Sequence, residues 1–415
     1  MGVDMWEMTL DRLLKHLLRE GDLQITLADG TVRRYGDGKG PKIAVTFHDA
    51  ALPRKLAFNP DIALGEAYTD GRLTIEDDNL RGLLDVVIHN LAQNDIPAFQ
   101  RPLFAARVAM RRLAQFNPAS RAQKNVAHHY DLSGELYELF LDSDRQYSCA
   151  YFQRPDMSLE QAQAAKKAHI ARKLRIEPGM RVLDIGCGWG GMALTLARDY
   201  GAHVVGGTLS REQLAIASDR ARAEGLADKV EFRLTDYRAL NEQFDRIVSV
   251  GMFEHVGVPH YREYFAKVHN LLTPDGIALI HTIGRSSPPG ITSPWITKYI
   301  FPGGYVPALS EISAAIEHED LFTNDVEVWR IHYADTLKHW LERFEANIDK
   351  ARAIYDDRFC RMWRYYLLAC EISFRRNRQA VFQLQLSRRI NAVPLTRDYL
   401  YAAPDGSAPM RHAAE

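Results

Sequence analysis

The run Val182-Leu183-Asp184-Ile185-Gly186-Cys187-Gly188-Trp189-Gly190-Gly191 decides the fold. Apolar residues lead into an acid, a glycine-rich turn follows, and Met192 to Tyr200 resumes as an amphipathic run. The order reads strand, tight turn, helix. Glycines at 186, 188 and 190 permit positive φ and a close backbone approach to a ligand, and the helix start behind them offers unpaired N–H groups. Gly186, Gly188 and Gly191 fit GxGxxG, although bulky Trp189 stands at the approach and the pattern alone also suits a plain turn. No Walker lysine follows, which argues against a triphosphate cradle. Asp184 ends the strand, where a carboxylate orders the loop or meets a cationic ligand.

Downstream, elements alternate: strand 181–185, helix 190–200, strand 203–208, helix 211–224, strands 229–234 and 244–250, helix 260–272, strand 276–283. This alternation predicts a parallel, doubly wound sheet, with ligands outside the carboxyl ends of its strands. Asp184, Thr208, Asp236, Glu254 and His281 fall there. A Pro/Gly-rich insertion, Gly284 to Pro307, carries an apolar helix from Trp295 to Phe301 and reads as a lid or wall. Leu321 to His332 is a strand region. Amphipathic helices Thr336 to Ile348 and Phe359 to Phe374 follow, then a strand from Gln379 to Leu386.

Upstream, Met5 to Arg19 reads as a helix, Asp22 to Tyr35 as a hairpin, and Ile43 to Phe47 as a strand. Leu64 to Tyr68 and Leu73 to Ile75 flank a turn, and Leu80 to Ala92 is a helix. Residues 1–96 thus read as a small α+β domain, for lipid binding or docking or as a merely structural appendage. Residues 97–124 form a basic linker helix: no acid occurs from Ile96 to Tyr130, and Arg101, Arg107, Arg111, Arg112, Arg121 and Lys124 alternate with apolar residues. Such a helix suits an anionic membrane face or a solvated linker. Residues 125–402 form the catalytic domain, and 403–415 read as a disordered tail.

The 415 residues carry 52 basic and 53 acidic side chains, so no global field calls for nucleic acid. Cysteines at 149, 187, 360 and 370 lack metal-ligand spacing and read as reduced, cytosolic thiols; no metal is expected. Met1 to Glu20 reads as neither signal peptide nor span, and no uncharged apolar run is long enough to cross a membrane.

Six strings occur in order: Gln146-Tyr-Ser-Cys-Ala-Tyr, Asp184-Ile-Gly-Cys-Gly-Trp-Gly-Gly, Thr208-Leu-Ser, Phe244-Asp-Arg-Ile-Val-Ser-Val-Gly-Met-Phe-Glu-His-Val-Gly257, His281-Thr-Ile-Gly284 and Pro294-Trp-Ile-Thr-Lys-Tyr-Ile-Phe-Pro-Gly-Gly304. Together they resemble the cyclopropane-fatty-acyl-phospholipid synthases and their mycolic-acid relatives, over essentially the whole chain and most strongly from 125 to 305. The resemblance implies a Rossmann-like class I methyltransferase using S-adenosylmethionine (SAM). It would move the SAM methyl onto a cis double bond of a phospholipid acyl chain and close the ring after a bound bicarbonate takes a proton. It places bicarbonate on Cys149, Glu254, His281, the backbone of Ile283, and Tyr333. It places SAM on Tyr147, Ser148, Asp184, Gly186, Cys187, Gly188, Thr208, Gln213, Asp236 and Tyr237. A homodimer at the inner face of the cell membrane is also implied.

The residues themselves leave alternatives. Glu254 would suit a salt bridge, Cys149 a packed small hydrophobe, and His281 a satisfied core histidine. The stripe Phe359, Trp363, Tyr366, Leu367, Cys370 and Phe374 reads as core or as the lining of an acyl-chain tunnel. Where SAM enzymes usually place an acid for the ribose hydroxyls, this chain has Gly207-Thr208-Leu209-Ser210, and Gln213 takes that role in the resemblance. Glu371 stands where some family members have a small residue. Competing functions are acyl C-methylation that stops at a methyl or methylene branch, methylation of a small amine, and non-catalytic SAM or lipid binding.

Overall fold

The computed structural model describes residues 5–93, 101–115 and 134–401. The expected tail and the segment from 116 to 133, including His128 and His129, lie outside them. The core is a seven-stranded sheet in the order β10-β11-β9-β8-β5-β6-β7. Its members are β5 (Arg181–Ile185), β6 (His203–Thr208), β7 (Val230–Leu234), β8 (Phe244–Val250), β9 (Leu272–Arg285), β10 (Phe322–Trp329) and β11 (Gln379–Ser387). Strands β5 to β9 pair in parallel. The parallel sheet expected from the alternation at 181–283 is present, and β11, read only as a last strand, runs antiparallel between β9 and β10. The chain reaches β11 from the long helix Asp357–Arg376 through a tight connection, with no crossover to restore the parallel direction.

Helices cover both faces, so the central strands are apolar on both sides: in β5, Val182, Leu183 and Ile185 are all buried. The helix Leu159–Leu174 begins at a capping box in which the Ser158 hydroxyl accepts from Gln161 N and the Gln161 amide oxygen accepts from Ser158 N. After β5 the chain adds β6 and β7 on one side, then crosses back to add β8 and β9 on the other. That reversal opens a crevice at the carboxyl ends of β5 and β8.

The N-terminal residues form a four-stranded sheet, β2-β1-β3-β4, from β1 (Asp22–Thr26), β2 (Val32–Tyr35), β3 (Lys42–Phe47) and β4 (Leu73–Ile75). β1 and β2 make the expected hairpin. Leu64 to Tyr68, read as one flank of a turn, lies in the helix Pro60–Thr69, which the helix Leu52–Phe58 precedes; Pro53 and Pro60 stand in the first turns, where a missing N–H costs nothing.

This unit packs on the helix Asp357–Arg376 and on the helix Pro294–Tyr299 of the insertion. Arg376 pairs with Asp85 at 2.8 Å, Arg358 with Asp70 at 2.9 Å, and Lys298 with Glu66 at 2.6 Å. Glu371, the unusual acid of the stripe, is 1% exposed and takes both guanidinium nitrogens of Arg81 at 3.1 and 2.7 Å. Arg375 adds a bond at 3.0 Å. Arg81→Ala should cost about 1.5–3 kcal/mol, the range for hydrogen bonds to a charged group, read by denaturant unfolding. Adding Glu371→Leu should recover much of the loss, since no buried charge is then left under-paired. An Arg81→Ala protein as stable as wild type would show that docking does not rest on this pair.

Candidate active site

One cavity opens in the crevice, and all ten residues assigned to SAM by the resemblance line it. Its floor is the glycine loop. Gly186 and Gly188 take φ of 80° and 55°, and Gly186 N and Cys187 N both donate to Gly207 O at 3.0 Å. A Cβ at Gly188 would meet nothing within 4 Å; it would project into open space. Asp184 lies at the end of β5, buried, with Oδ2 lacking a hydrogen-bond partner among the described residues. Burial pushes its carboxyl up to about 7. A buried carboxylate oxygen left open in this way fits an ammonium group.

The opposite wall offers polar groups and an aromatic ring. The Thr208 hydroxyl donates to Gln213 Oε1 at 2.8 Å, which leaves the Gln213 NH₂ as the donor end. Ser210 caps the helix Arg211–Ala223 by accepting from Gln213 N at 3.3 Å, so Gln213 is fixed at the first turn. Asp236 is partly committed: Arg238 donates to its Oδ1 from Nε at 2.9 Å and to Oδ2 from Nη2 at 2.7 Å. Arg238 was missed in the sequence because only the folded turn brings it back onto Asp236. Tyr237 stacks edge-on against Tyr264 at 5.3 Å.

The third wall is the strap from Asp142 to Cys149, which holds Tyr147 and Ser148. The Tyr147 hydroxyl lies 2.9 Å from that of Tyr366, and its ring stacks on Trp340 at 5.1 Å. The stripe on the helix Asp357–Arg376 therefore reaches the cavity wall through Tyr366. Phe301 of the insertion contacts both Tyr366 and His255, the latter a lining residue. Tyr305 N donates to Glu254 O at 2.9 Å. The insertion is a packed wall over the Glu254 segment.

The five residues assigned to catalysis lie behind the cavity rather than on its lining. Glu254 sits in the short turn Phe253–His255 between the lining residues Met252 and His255. Its Oε1 accepts from Ile283 N at 2.6 Å, so these two are brought together. Its Oε2 is buried without a well-formed hydrogen bond among the described residues. Burial raises this carboxyl to about 7, against the lowering effect of the Ile283 N–H. His281 shares a face of β9 with Ile283 and registers with Val250 of β8. Burial holds its ring neutral, and Nδ1 accepts from the Gln383 amide at 3.0 Å, which puts the proton on Nε2. Cys149 is buried and donates to Ala150 O at 3.3 Å; burial pushes its thiol up, so it is a neutral donor and no nucleophile. Tyr333 is packed against Trp340 and Phe374.

These features make a binding test direct. Gly188→Val should place a branched side chain in the open space above the loop. Calorimetric binding of S-adenosylhomocysteine (SAH) should be lost while circular dichroism stays folded. Retained micromolar binding would show that the loop does not hold the cofactor.

The comparisons with known proteins agree with this geometry. Residues 118–384 match the family model described as mycolic acid cyclopropane synthetase, and residues 9–95 match a domain of unknown function. The chain is 43% identical to the cyclopropane-fatty-acyl-phospholipid synthase of Escherichia coli over 329 residues, covering 79% of this chain and 84% of that one. It is 34% identical to the tuberculostearic acid methyltransferase of Mycobacterium tuberculosis, covering 91% and 90%. The solved cyclopropane synthase of Mycobacterium tuberculosis superposes with a TM-score of 0.62 at 34% identity, covering 65% of this chain and 99% of that one. A mycolic acid cyclopropane synthase in complex with SAH and CTAB gives 0.61 at 33%, covering 66% of this chain and 99% of that one. With the glycine loop, the open Asp184 carboxylate and the strand order in place, the chain belongs to the mycolic acid cyclopropane synthetase family of SAM-dependent methyltransferases.

Proposed function

We propose that this protein is a cyclopropane-fatty-acyl-phospholipid synthase: it methylates the cis double bond of an unsaturated phospholipid acyl chain and closes it to a cyclopropane. The observation that carries this reading is Glu254, a buried carboxyl in the turn between the lining residues Met252 and His255, whose Oε1 accepts from Ile283 N on the same strand as the neutral His281. SAM, when bound, supplies an electrophilic methyl group. Asp184 would hold its ammonium and Gln213 its ribose hydroxyls, and Gly188 leaves open space above the loop. An alkene is a weak nucleophile, so alignment within a dry wall contributes much of the rate. Tyr147, Trp340 and Tyr366 offer electron-rich faces near the developing cation.

Bicarbonate, when bound, would supply the base. Glu254, with its open Oε2, and His281, with a proton on Nε2, suit such an anion in its protonated and charged forms. Cys149 and Tyr333 belong to the same proposed set. The Ile283 N–H is engaged by Glu254 here, so its part is to orient the carboxylate.

A second reading has its own support, since the chain is also 38% identical to a probable fatty acid methyltransferase of Pseudomonas putida, covering 85% and 88%. In that reading the same cation ends as a methyl or methylene branch. Expression in a bacterium lacking its own synthase, followed by fatty-acid analysis, separates the two. Cyclopropane products are expected; a one-carbon gain with a retained double bond, or a saturated branch, would replace the ring-closing reading. Glu254→Gln should lower turnover roughly a hundredfold to ten-thousandfold with little change in SAM affinity. Because Glu254 titrates near 7 and works as a carboxylate, wild-type turnover at saturating SAM should rise from pH 6 to pH 8. Glu254→Gln should lack that limb. A glutamine variant with wild-type turnover would remove the acid–base role.

We also propose that the enzyme works as a homodimer at the inner membrane face, reaching lipid through the basic helix and the N-terminal unit. Among the described residues no helix is long and apolar enough to cross a membrane. The helix Arg101–Ala114 uses Arg111 inward, donating to Glu311 at 3.3 Å, while Met110 is 61% exposed beside exposed Ala106 and Ala109. Exposed Ala106, Ala109 and Met110 give the helix an outward apolar patch, a form that suits shallow burial in a membrane interface. Met110→Asp should weaken sedimentation with anionic phospholipid vesicles severalfold without changing the fold; unchanged sedimentation counts against this face.

A further inference from the structure

The strap that carries Tyr147 and Ser148 has almost no regular secondary structure, yet it forms a wall of the cofactor cavity. Something other than backbone pairing must fix it. We propose that Lys166 is the positioning residue of this wall: from the helix Leu159–Leu174 its ammonium holds Gln146 and Ser148 and turns the Ser148 hydroxyl hydrogen toward the carboxylate end of SAM.

Lys166 is 0% exposed. Its Nζ donates to Gln146 Oε1 and to Ser148 Oγ, each at 2.7 Å. An ammonium has donors and no acceptor, so Ser148 Oγ must accept. The single hydroxyl hydrogen is then directed away from Lys166, and Ser148 lines the cavity. A serine whose oxygen is polarised by a cation is a better donor to an anion. Asp184 suits the ammonium of the proposed ligand, and the Ser148 hydroxyl hydrogen, directed away from Lys166, suits its carboxylate. Burying an ammonium is unfavourable unless it is matched, and an apolar residue at this helix position would avoid that cost; the ion has a use.

The rest of the strap is organised about the same contact. Gln163 donates to the carbonyls of Gln146 and Ser148 at 3.2 and 2.9 Å. Asp142 Oδ1 accepts from Gln146 N at 2.7 Å. Asp144 pairs with Lys167 and with Arg220, and Arg220 also donates to Trp189 O of the glycine loop at 2.8 Å. Strap and loop are thereby tied into one frame. A Cβ on Gly191 would come within 2.4 Å of Gln146 Nε2, so the helix start also leaves room for the strap.

Lys166 faces Asp142 and Asp144 on the strap, Lys167 on its own helix, Cys149 beyond Ser148, Asp184 on β5 and His281 on β9. Burial draws its ammonium down to about 8. The charged form supports the bound carboxylate, and the bound carboxylate in turn raises the lysine's pKa. Affinity contributed by Lys166 is therefore full below about pH 8 and declines as pH rises beyond it. The ligand's own α-amino group titrates nearby, so the comparison must be between variants.

The inference rests on the cavity being the SAM site, which wild-type binding of SAH tests separately. Calorimetric titration with SAH from pH 6.5 to 9.5 is compared for wild type, Lys166→Met, Lys166→Arg, Ser148→Ala and the Ser148→Ala/Lys166→Met double variant. At pH 7, Lys166→Met should weaken SAH roughly ten- to a hundredfold, as for loss of a charge-assisted hydrogen bond, and Lys166→Arg should restore most of it. Lys166→Arg should lose affinity less steeply than wild type above pH 8. The double variant should bind about as weakly as Lys166→Met alone, since both changes cut one chain of bonds. At saturating SAM, kcat of Lys166→Met should fall far less than its kcat/KM. A folded Lys166→Met that binds SAH within threefold of wild type overturns the proposal, as does additivity in the double variant. If Lys166→Met does not fold, Lys166→Arg decides: a wild-type alkaline decline in that variant overturns the proposal. A wild type that fails to bind SAH overturns the SAM reading itself, and this inference with it.

Discussion

The site depends on one topological constraint, the reversal of strand addition between β5 and β8. Parallel strands buried on both faces leave their polar edge only at their ends, and the reversal separates the two flanking connections there. Asp184 and Gly186–Gly188 end β5, the Glu254 turn follows β8, and His281 stands on β9 in register with Val250. No side-chain interaction brought these residues to one crevice. The order in which the sheet was built did so, and every polar contact in the cavity is arranged on that platform.

Burial then sets the charges. Asp184 and Glu254 are both drawn up to about 7, His281 is held neutral, and Lys166 is drawn down to about 8. Each shift has desolvation as its largest cause. A dry pocket with several groups poised close to neutrality suits a reaction that needs a cationic cofactor held, a carbocation protected from water and a proton removed. The same dryness makes partial networks costly, which accounts for the density of bonds around the strap.

The N-terminal unit is joined to this machinery through two elements that themselves touch the cavity wall. The helix Asp357–Arg376 carries Tyr366 on its inner side and receives Arg81 and Asp85 on its outer side. The helix Pro294–Tyr299 receives Asp61 and Glu66, while Phe301 just beyond it meets Tyr366 and His255. Gly65 is required at this seam, since a Cβ there would lie 2.4 Å from Trp295 Nε1. Docking of the small sheet is thus mechanically continuous with the aromatic wall.

The sequence by itself determined the strand–turn–helix at 181–200, the alternation of the central sheet, and the family. Those features are local: a period, a glycine turn, a cap, an ordered set of strings. It also named ten residues that line one cavity, seven of them inside those strings; Gln213, Asp236 and Tyr237 lie outside the strings and came from the resemblance. What only the tertiary structure decided arises from partners far apart in the chain. The antiparallel entry of β11 follows from the path of the preceding helix. Glu371 acquired a meaning only when Arg81, 290 positions away, was placed on it. Lys166 is one of several lysines on its helix, nothing local marks it as buried, and only packing removed it from water and set it against Gln146 and Ser148. Local pattern reports backbone geometry; burial and charge pairing between distant segments are fixed only when the sheet and its helices close.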